Sequence, residues 1–171
     1  MTKKVMHKPF TPLVAMLFAG LICAFDLGSK AAVVKHLAYG QQIELMPSLN
    51  LVHAVNKGAA FGLLATAGGW QRYLFIAIAV LASAFLIYMN RKPAAGAVER
   101  LGLAMILGGA VGNLADRIAR KGVVDWIDVY AGVHHWPAFN IADIGITLGV
   151  AVIILSELFR SGQKASMSDR T

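Results

Sequence analysis

Four apolar runs alternate with polar segments along the chain and define its overall pattern. They cover about residues 10–34, 70–89, 98–118 and 141–159. Each run approaches the roughly 20 mainly apolar residues that a helix needs to cross the hydrocarbon core of a bilayer. A backbone exposed to lipid must satisfy its own hydrogen bonds, so we expect all four runs to be helices. The pattern predicts an all-α membrane protein: a single integral membrane domain, residues 1–171, with four transmembrane helices.

The polar connections are of unequal length. The two long ones, about 36–69 and 119–140, fall on the same side of the predicted membrane, and the connection 90–97 on the other side is short. Within the first long connection, "QQIELMPSLNLVHAV" mixes apolar and polar positions at nearly period two and is broken by Pro47. This alternation predicts short strands and hence a small extracytoplasmic β-containing loop region. The small, polar stretch at about 161–171 is expected to be a disordered tail.

The composition agrees with a membrane protein. Hydrophobic residues make up 57% of the chain and charged residues only 15%, well away from the average soluble composition. The formal charge of +7 needs no nucleic-acid partner, because basic residues beside the spans face anionic headgroups of membrane lipids. All three segments on the side of the N terminus are basic, which predicts that both termini are cytoplasmic.

Disulfide and metal chemistry find little support in the sequence. Cys23 is the single cysteine, so no intrachain disulfide can form, and zinc or iron–sulfur ligation is not expected. His134 and His135 are adjacent and lack the spacing of a helical zinc site. We therefore expect no metal and no cofactor, and interpret the two histidines as interfacial loop residues.

The first span has an alternative interpretation. The start "MTKKVMHK", followed by an apolar run, also fits a secretory signal peptide. However, the apolar run continues past Asp26 without a small-residue cleavage site at a sharp polar boundary. We therefore predict that the first span is retained.

Carboxylates collect at the outer ends of the predicted spans. Asp26 lies near the end of the first span, Asp116 ends the third, Asp143 opens the fourth, and Asp125 lies in the connection between the last two. Ionisable groups at a membrane edge are costly, so by default they indicate a functional site. Such a group of aspartates can activate water without a metal if two of them share a proton.

Each polar residue also has a purely structural interpretation. Asp26 and Lys30 have the i,i+4 spacing of a helical ion pair. Asp116 beside Arg117 could be an ion pair at a helix end. Asp143 falls in a first helical turn, where a carboxylate caps free backbone amides.

Asp125 stands in an apolar setting, "VVDWIDVY", which favours burial and would raise the pKa of its carboxyl group. A second carboxylate nearby would raise one pKa further. The residues alone do not decide whether Asp116 or Asp125 is the partner of Asp143.

Five sequence blocks occur in order along the chain. They are "DLGSK" (26–30), "NKGAAF" (56–61), "GGAVGNLADR" (108–117), "VVDWID" (123–128) and "FNIAD" (139–143). With these blocks on four spans, the chain resembles the lipoprotein signal peptidases, the bacterial signal peptidase II family of membrane aspartyl proteases. It departs from the family pattern at Leu27, where Gln is frequent, and at Trp126, where Phe is frequent. Neither departure removes a carboxylate.

The resemblance implies that Asp125 and Asp143 form a catalytic dyad. It implies supporting or substrate-binding roles for Asn56, Gly58, Asn113, Arg117, Asn140 and Ala142. Asp26, Lys30 and Asp116 are expected to be structural residues near the site.

The implied activity is membrane aspartyl endopeptidase: it removes the signal peptide from diacylglyceryl-modified prolipoproteins by cutting before the lipidated cysteine. One aspartate would take a proton from water while its protonated partner bonds the scissile carbonyl and later protonates the leaving amine. The implied location is the bacterial cytoplasmic (inner) membrane, with the active site near the outer face, and we expect a monomer. A small carrier or proton-relay protein and an inactive assembly factor are the rival interpretations.

Overall fold

The computed structural model describes residues 10–58, 68–93 and 95–168, with side chains as far as residue 161. The described part contains, in order, α1 (Pro12–His36), β1 (Gln42–Met46), β2 (Leu49–Asn56), α2 (Gln71–Arg91), α3 (Ala97–Arg120), β3 (Val123–Ala131), β4 (His134–His135) and α4 (Ile141–Ser168).

The four helices confirm the predicted spans. Each of them is long and apolar enough to cross a membrane. Their local signals are clear: α1 begins with Pro12 after the N-cap Thr11, whose hydroxyl accepts a hydrogen bond from the Val14 N–H at 3.3 Å. α3 ends at Arg120 and is followed by the C-cap Lys121, which adopts a left-handed conformation with φ 62°.

α3 is the central helix of the bundle. Half of the residues in its apolar 18-residue stretch are buried, against 17% in the corresponding stretch of each of the other three helices. Glycines allow this close packing, because a Cβ at Gly108 would lie 2.6 Å from the carbonyl oxygen of Ala19 in α1. A Cβ at Gly102 would lie 2.8 Å from the carbonyl oxygen of Gly149 in α4. Small residues thus bring three backbones together, as is common where membrane helices pack.

The four strands form one antiparallel sheet in the order β1-β2-β3-β4. The predicted break at Pro47 is the turn between β1 and β2, where Ser48 has φ 71°, so the prediction of short strands in the first connection is confirmed. β2 pairs with β3 so that Ala54 lies opposite Asp125 and Asn56 lies opposite Val123. The sheet therefore joins the two long connections beside the C-terminal end of α3.

Two sequence-based expectations need correction. The segment "VVDWIDVY", for which no strand was predicted, forms all but the last residue of the nine-residue strand β3, because its valines and aromatic residues favour a strand and β3 pairs with β2, which is distant in sequence. The tail expected to be disordered from about residue 161 is helical as far as Ser168, since glutamine, lysine, alanine and methionine are good helix formers and no proline interrupts them. Residues 169–171 and residues 59–61 of the "NKGAAF" block lie outside the described residues.

Candidate active site

A buried ion cluster forms the base of the site. Lys30 of α1 lies 2.7 Å from Oδ2 of Asp26 and 3.6 Å from Oδ2 of Asp116 in α3, and all three side chains are fully buried. The predicted i,i+4 pair of Asp26 and Lys30 is thus present. Asp116 also accepts hydrogen bonds from Arg120 and, at 3.0 Å, from the N–H of Val124 in β3. The cluster ties α1, α3 and β3 together, since each buried charge has an opposite charge as partner.

The expected pair of Asp116 and Arg117 is not formed. Asp116 instead pairs with Arg120, because residues four apart share a helix face whereas adjacent residues point in different directions. The same i,i+4 spacing rule would have found Arg120 from the sequence. Arg117 lies elsewhere: its guanidinium group donates to the carbonyl oxygens of Asn113 and Gly58, each at 3.3 Å. It also lies 5.3 Å from the ring centre of Phe75 in α2.

Asn113 connects the ion cluster to the fourth helix. Its Oδ1 accepts a hydrogen bond from Nζ of Lys30 at 2.8 Å, and its Nδ2 donates to Oδ1 of Asp143 at 2.9 Å. Lys30 can only donate, so it fixes which end of the Asn113 amide faces each neighbour. Asn113 therefore presents an N–H group to Asp143.

Asn140 and Asp143 form a reciprocal cap at the start of α4. The N–H of Asp143 donates to Oδ1 of Asn140 at 3.0 Å, and the N–H of Asn140 donates to Oδ2 of Asp143 at 3.2 Å. This is the geometry of a capping box, so the capping role suggested by the sequence is present. Ala142 of the same turn donates its N–H to Oδ1 of Asp26 at 2.9 Å, which ties the start of α4 to the ion cluster.

Asp125 is held next to this cap. It is 4% exposed, and its Oδ1 accepts a hydrogen bond from Nδ2 of Asn140 at 2.7 Å. Burial, and then the charge of Asp143, raise the pKa of Asp125 to about 7, against the lowering effect of hydrogen bonds from Asn140 and Asn56. The raised pKa predicted from the apolar surroundings of Asp125 is thus present, and its main cause is desolvation.

A cavity of about 740 Å³ brings the two aspartates together. Its polar lining consists mainly of Asp125, Asp143, Asn56, Asn113 and Arg117, and Thr147 of α4 contributes a hydroxyl. The remaining lining is apolar or aromatic: Ala54, Val55, Val123, Trp136, Pro137, Ala138, Phe139, Ile144, Ile146 and Leu148. An apolar cavity with a few convergent polar groups is typical of an active site.

Of the residues predicted for the site, five line this cavity, and the others stand behind it. Asn140 and Ala142 are fully buried. Asn140 contacts both cavity-lining aspartates, whereas Ala142 contacts Asp26 of the ion cluster. Gly58 donates its N–H to Oδ1 of Asn56 at 2.9 Å. Asp26, Lys30 and Asp116 are buried in the ion cluster and do not line the cavity.

Comparison with known proteins agrees with this arrangement. The family model for signal peptidase (SPase) II matches residues 18–159. The lipoprotein signal peptidase of Serratia marcescens is 44% identical over 165 residues, which cover 95% of this chain and 94% of that protein. The lipoprotein signal peptidase of Burkholderia thailandensis is 45% identical over 140 residues, 82% of this chain and 84% of that protein. The chain belongs to the signal peptidase II family.

Solved structures support the same fold. A bacterial membrane enzyme of known structure superposes with a TM-score of 0.82 at 31% identity and covers 93% of this chain and 96% of that one. A second such structure gives a TM-score of 0.76 at 31% identity and covers 90% and 97%. As a signal peptidase II family member the protein is a protease, and its dyad candidates lie where α3, β3 and α4 meet.

Sequence reasoning missed one part of this signal peptidase II site. The cavity wall formed by residues 136–139 carried no recognised motif, apart from its last residue in the block "FNIAD". The two-residue strand β4 immediately before it was treated as loop. The position of residues 136–139 directly before Asn140, a predicted site residue, is the sequence feature that could have indicated this wall.

Proposed function

We propose that this protein is an aspartic endopeptidase that removes the signal peptide from diacylglyceryl-modified prolipoproteins. The proposed cut lies immediately before the lipidated cysteine. The observation that carries the proposal is the convergence of Asp125 and Asp143 on one largely apolar cavity, with Asn140 bonded to both. The names of the relatives, lipoprotein signal peptidases, supply the substrate class.

The geometry favours Asp125 as the protonated member of the dyad and Asp143 as the base. Each oxygen of Asp143 accepts an N–H, from the side chain of Asn113 and from the backbone of Asn140, and such donors stabilise a carboxylate ion. Asp125 is buried, and a pKa of about 7 leaves it substantially protonated near neutral pH. This separation of roles is the pattern expected of an acid and a base in one site.

The reaction then proceeds in two proton transfers. Asp143 takes a proton from a water molecule as the water oxygen attacks the scissile carbonyl carbon, while the Asp125 hydroxyl donates a hydrogen bond to the carbonyl oxygen. The carbon–nitrogen bond of the resulting tetrahedral intermediate breaks, and Asp125 gives its proton to the leaving amine. The dyad begins and ends with one proton, so a proton shift between the two carboxyl groups restores the starting state.

The supporting residues fix this geometry without adding charge between the aspartates. The amides of Asn113 and Asn140 orient the two carboxyl groups through the contacts described above. Arg117 holds the backbone at Gly58 against the outer end of α3, beside the cavity. We assign Asn56, Gly58, Asn113, Arg117, Asn140 and Ala142 to this supporting role.

Membrane placement follows from the four spans. An even number of spans puts both termini on one side, and the basic segments on that side support a cytoplasmic location for both termini, with the protein in a bacterial inner membrane. The dyad then lies near the outer face. Ile144 and Leu148 both line the cavity and are 38% and 50% exposed on the surface of α4, so the cavity reaches the lipid-facing side. Acyl chains and a signal helix could enter the cavity there from the bilayer. We propose that the enzyme is a monomer and needs no cofactor.

The test uses the purified full-length protein in detergent with a diacylglyceryl prolipoprotein. We expect a loss of substrate mass equal to the signal peptide for the wild type. Asp125→Asn and Asp143→Asn should fold and show almost no cleavage, whereas Glu157→Gln, which changes an exposed carboxylate on α4, should cut normally. Substantial turnover by either dyad variant would remove that residue from the catalytic role. A folded wild type that leaves the substrate intact would favour an inactive assembly factor or a carrier.

A further inference from the structure

A second hydrogen-bonded cluster lies on the four-stranded sheet, beside the cavity but apart from the dyad. Asp128 of β3 is 6% exposed. Its Oδ2 accepts a hydrogen bond from Nδ2 of Asn50 in β2 at 2.7 Å. Nδ1 of His135 in β4 lies 2.9 Å from Oδ2 of Asp128 and 3.0 Å from Oδ1. Because a carboxylate only accepts, Nδ1 of His135 carries a proton and donates to Asp128.

The His135 ring has a second contact. It stacks on the ring of Tyr130 in β3, with centroids 5.1 Å apart and planes 17° from parallel, and the Tyr130 hydroxyl donates to Glu44 of β1 at 3.2 Å. The His135 side chain thus links the edge strand β4 to the neighbouring strand β3. Hydrogen bonds to a carboxylate are roughly twice as strong as neutral ones, so Asp128 is the main anchor.

The chain runs from His135 directly into the wall of the cavity. Residues 136–139 all line it. At the far end of this wall, Phe139 exchanges backbone hydrogen bonds of 2.9 and 3.0 Å with Ile127 of β3. Pro137 lacks a backbone N–H and cannot contribute a donor to the ladder. The wall is therefore anchored at its two ends.

The near anchor is short. β4 has only two residues, both exposed, and pairs with the end of β3. The Trp136 N–H adds one backbone bond to Val129 at 2.8 Å. A two-residue edge strand is weak by itself. The hydrogen bond from His135 to Asp128 therefore contributes a substantial share of the interactions that fix this end of the wall.

The far anchor is independent of this bond. Beyond Phe139 the chain enters the capping box of Asn140 and Asp143, and Asn140 is bonded to Asp125. Loss of the His135 bond would therefore loosen the wall and leave the dyad in place. A loosened wall would change substrate affinity, whereas an intact dyad would leave the chemical step unchanged.

We propose that Asp128 and His135 are positioning residues for substrate binding, which hold the wall of residues 136–139 in the shape that contacts the prolipoprotein. The proposal rests on the proposed function. It assigns a binding role to two residues that do not belong to the dyad and do not themselves line the cavity.

Three variants test the role of the Nδ1 donor. His135→Phe keeps a ring that can stack on Tyr130 but removes the donor. His135→Asn places an amide N–H near the position of Nδ1 and should restore the bond. His134→Phe makes the same change at the neighbouring exposed position, whose side chain has no hydrogen bond within the described part of the chain, and serves as the matched control.

The measurements are kcat and KM for a diacylglyceryl prolipoprotein in detergent, with the melting temperature of each variant. We expect His135→Phe to raise KM about fivefold, the effect of losing one hydrogen bond, with kcat within about twofold of the wild type. KM should return close to the wild-type value in His135→Asn and stay unchanged in His134→Phe. Asp128→Asn should raise KM by less than His135→Phe, because its amide oxygen can still accept from Nδ1 of His135 but lacks the negative charge that strengthens the hydrogen bond.

Several results would overturn the inference while leaving the proposed function standing. They are an unchanged KM in His135→Phe, a loss confined to kcat, the same KM rise in His134→Phe, or no recovery in His135→Asn. If neither His135→Phe nor Asp128→Asn folds, the cluster is structural and the inference is wrong. A wild type that cuts no prolipoprotein would instead overturn the proposed function, and this inference with it.

Discussion

Asp125→Asn should make the protein more stable at alkaline pH while it abolishes cleavage. The carboxyl group of Asp125 is 4% exposed and faces Asp143 across the cavity. Asparagine has nearly the same shape, and its amide oxygen can still accept the hydrogen bond that Nδ2 of Asn140 donates at 2.7 Å. The substitution therefore removes a buried ionisable group and keeps its contact with Asn140.

The size of the effect follows from the pKa of Asp125, which rises from 3.8 to about 7 on folding. Between these values the unfolded chain releases the proton and the folded protein keeps it, so stability falls as the pH rises. The difference of about three pKa units, at about 1.4 kcal/mol each, amounts to about 4 kcal/mol above pH 7. The cost is about 2 kcal/mol at pH 5 and vanishes below about pH 4.

The assay compares the unfolding free energy of the wild type and Asp125→Asn in the same detergent at pH 5 and pH 8. Other titrating groups are common to both proteins and cancel in the difference. We expect the advantage of the variant to grow by about 2 kcal/mol between the two pH values, and cleavage to fall by about 10²–10⁴. Glu157→Gln is the control, because its carboxylate is exposed.

An advantage that does not change with pH would show that Asp125 titrates as an ordinary carboxyl group, and the assignment of Asp125 as the acid would be lost. Retained cleavage would remove it from the dyad altogether. The activity of the wild type carries the same signature: kcat/KM should fall as the pH rises through about 7, because the acid loses its proton.

Four further predictions concern the residues around the dyad and the metal dependence. Asp116→Asn should lower the unfolding free energy by about 3–5 kcal/mol, because it leaves buried Lys30 with one fewer carboxylate, while the folded fraction still cuts; a wild-type melting temperature with no cleavage would place Asp116 in the catalytic site. Arg117→Lys keeps the charge but loses the planar fork that reaches two carbonyl oxygens, so the initial cleavage rate should fall more than the melting temperature, and the reverse order would make Arg117 purely structural. Trp126→Phe should leave the melting temperature equal or higher, since the indole N–H that it removes is buried without a partner in the described structure. Burying such a group costs the wild type about 1–3 kcal/mol. A clear fall in melting temperature would show that the lost ring contacts dominate. Excess chelator should not change the cleavage rate, because paired carboxylates activate water without a cation, and inhibition reversed by zinc would contradict the aspartic mechanism.

The sequence by itself determined the features that depend on near neighbours in the chain. Apolar runs of sufficient length gave the four spans, because a bilayer demands a continuous apolar helix. Alternation around Pro47 gave β1 and β2, and the i,i+4 spacing gave the pair of Asp26 and Lys30. The collection of carboxylates on one side of the predicted membrane followed from the order of the spans, and the five blocks led to the family.

Only the tertiary structure decided which of these groups meet. Lys30 reaches Asn113 across 83 positions of sequence, and the Ala142 N–H reaches Asp26 across 116. Asp116 forms its ion pair with Arg120, and β3 pairs with β2. Asn140 is hydrogen-bonded to both Asp125 and Asp143. Periodicity reports the face on which a side chain lies, but the identity of its partner depends on how helices and strands far apart in the chain pack. The separate environments of the two aspartates, Asp125 buried and Asp143 half-buried in the capping box, come from that packing and not from the order of the residues.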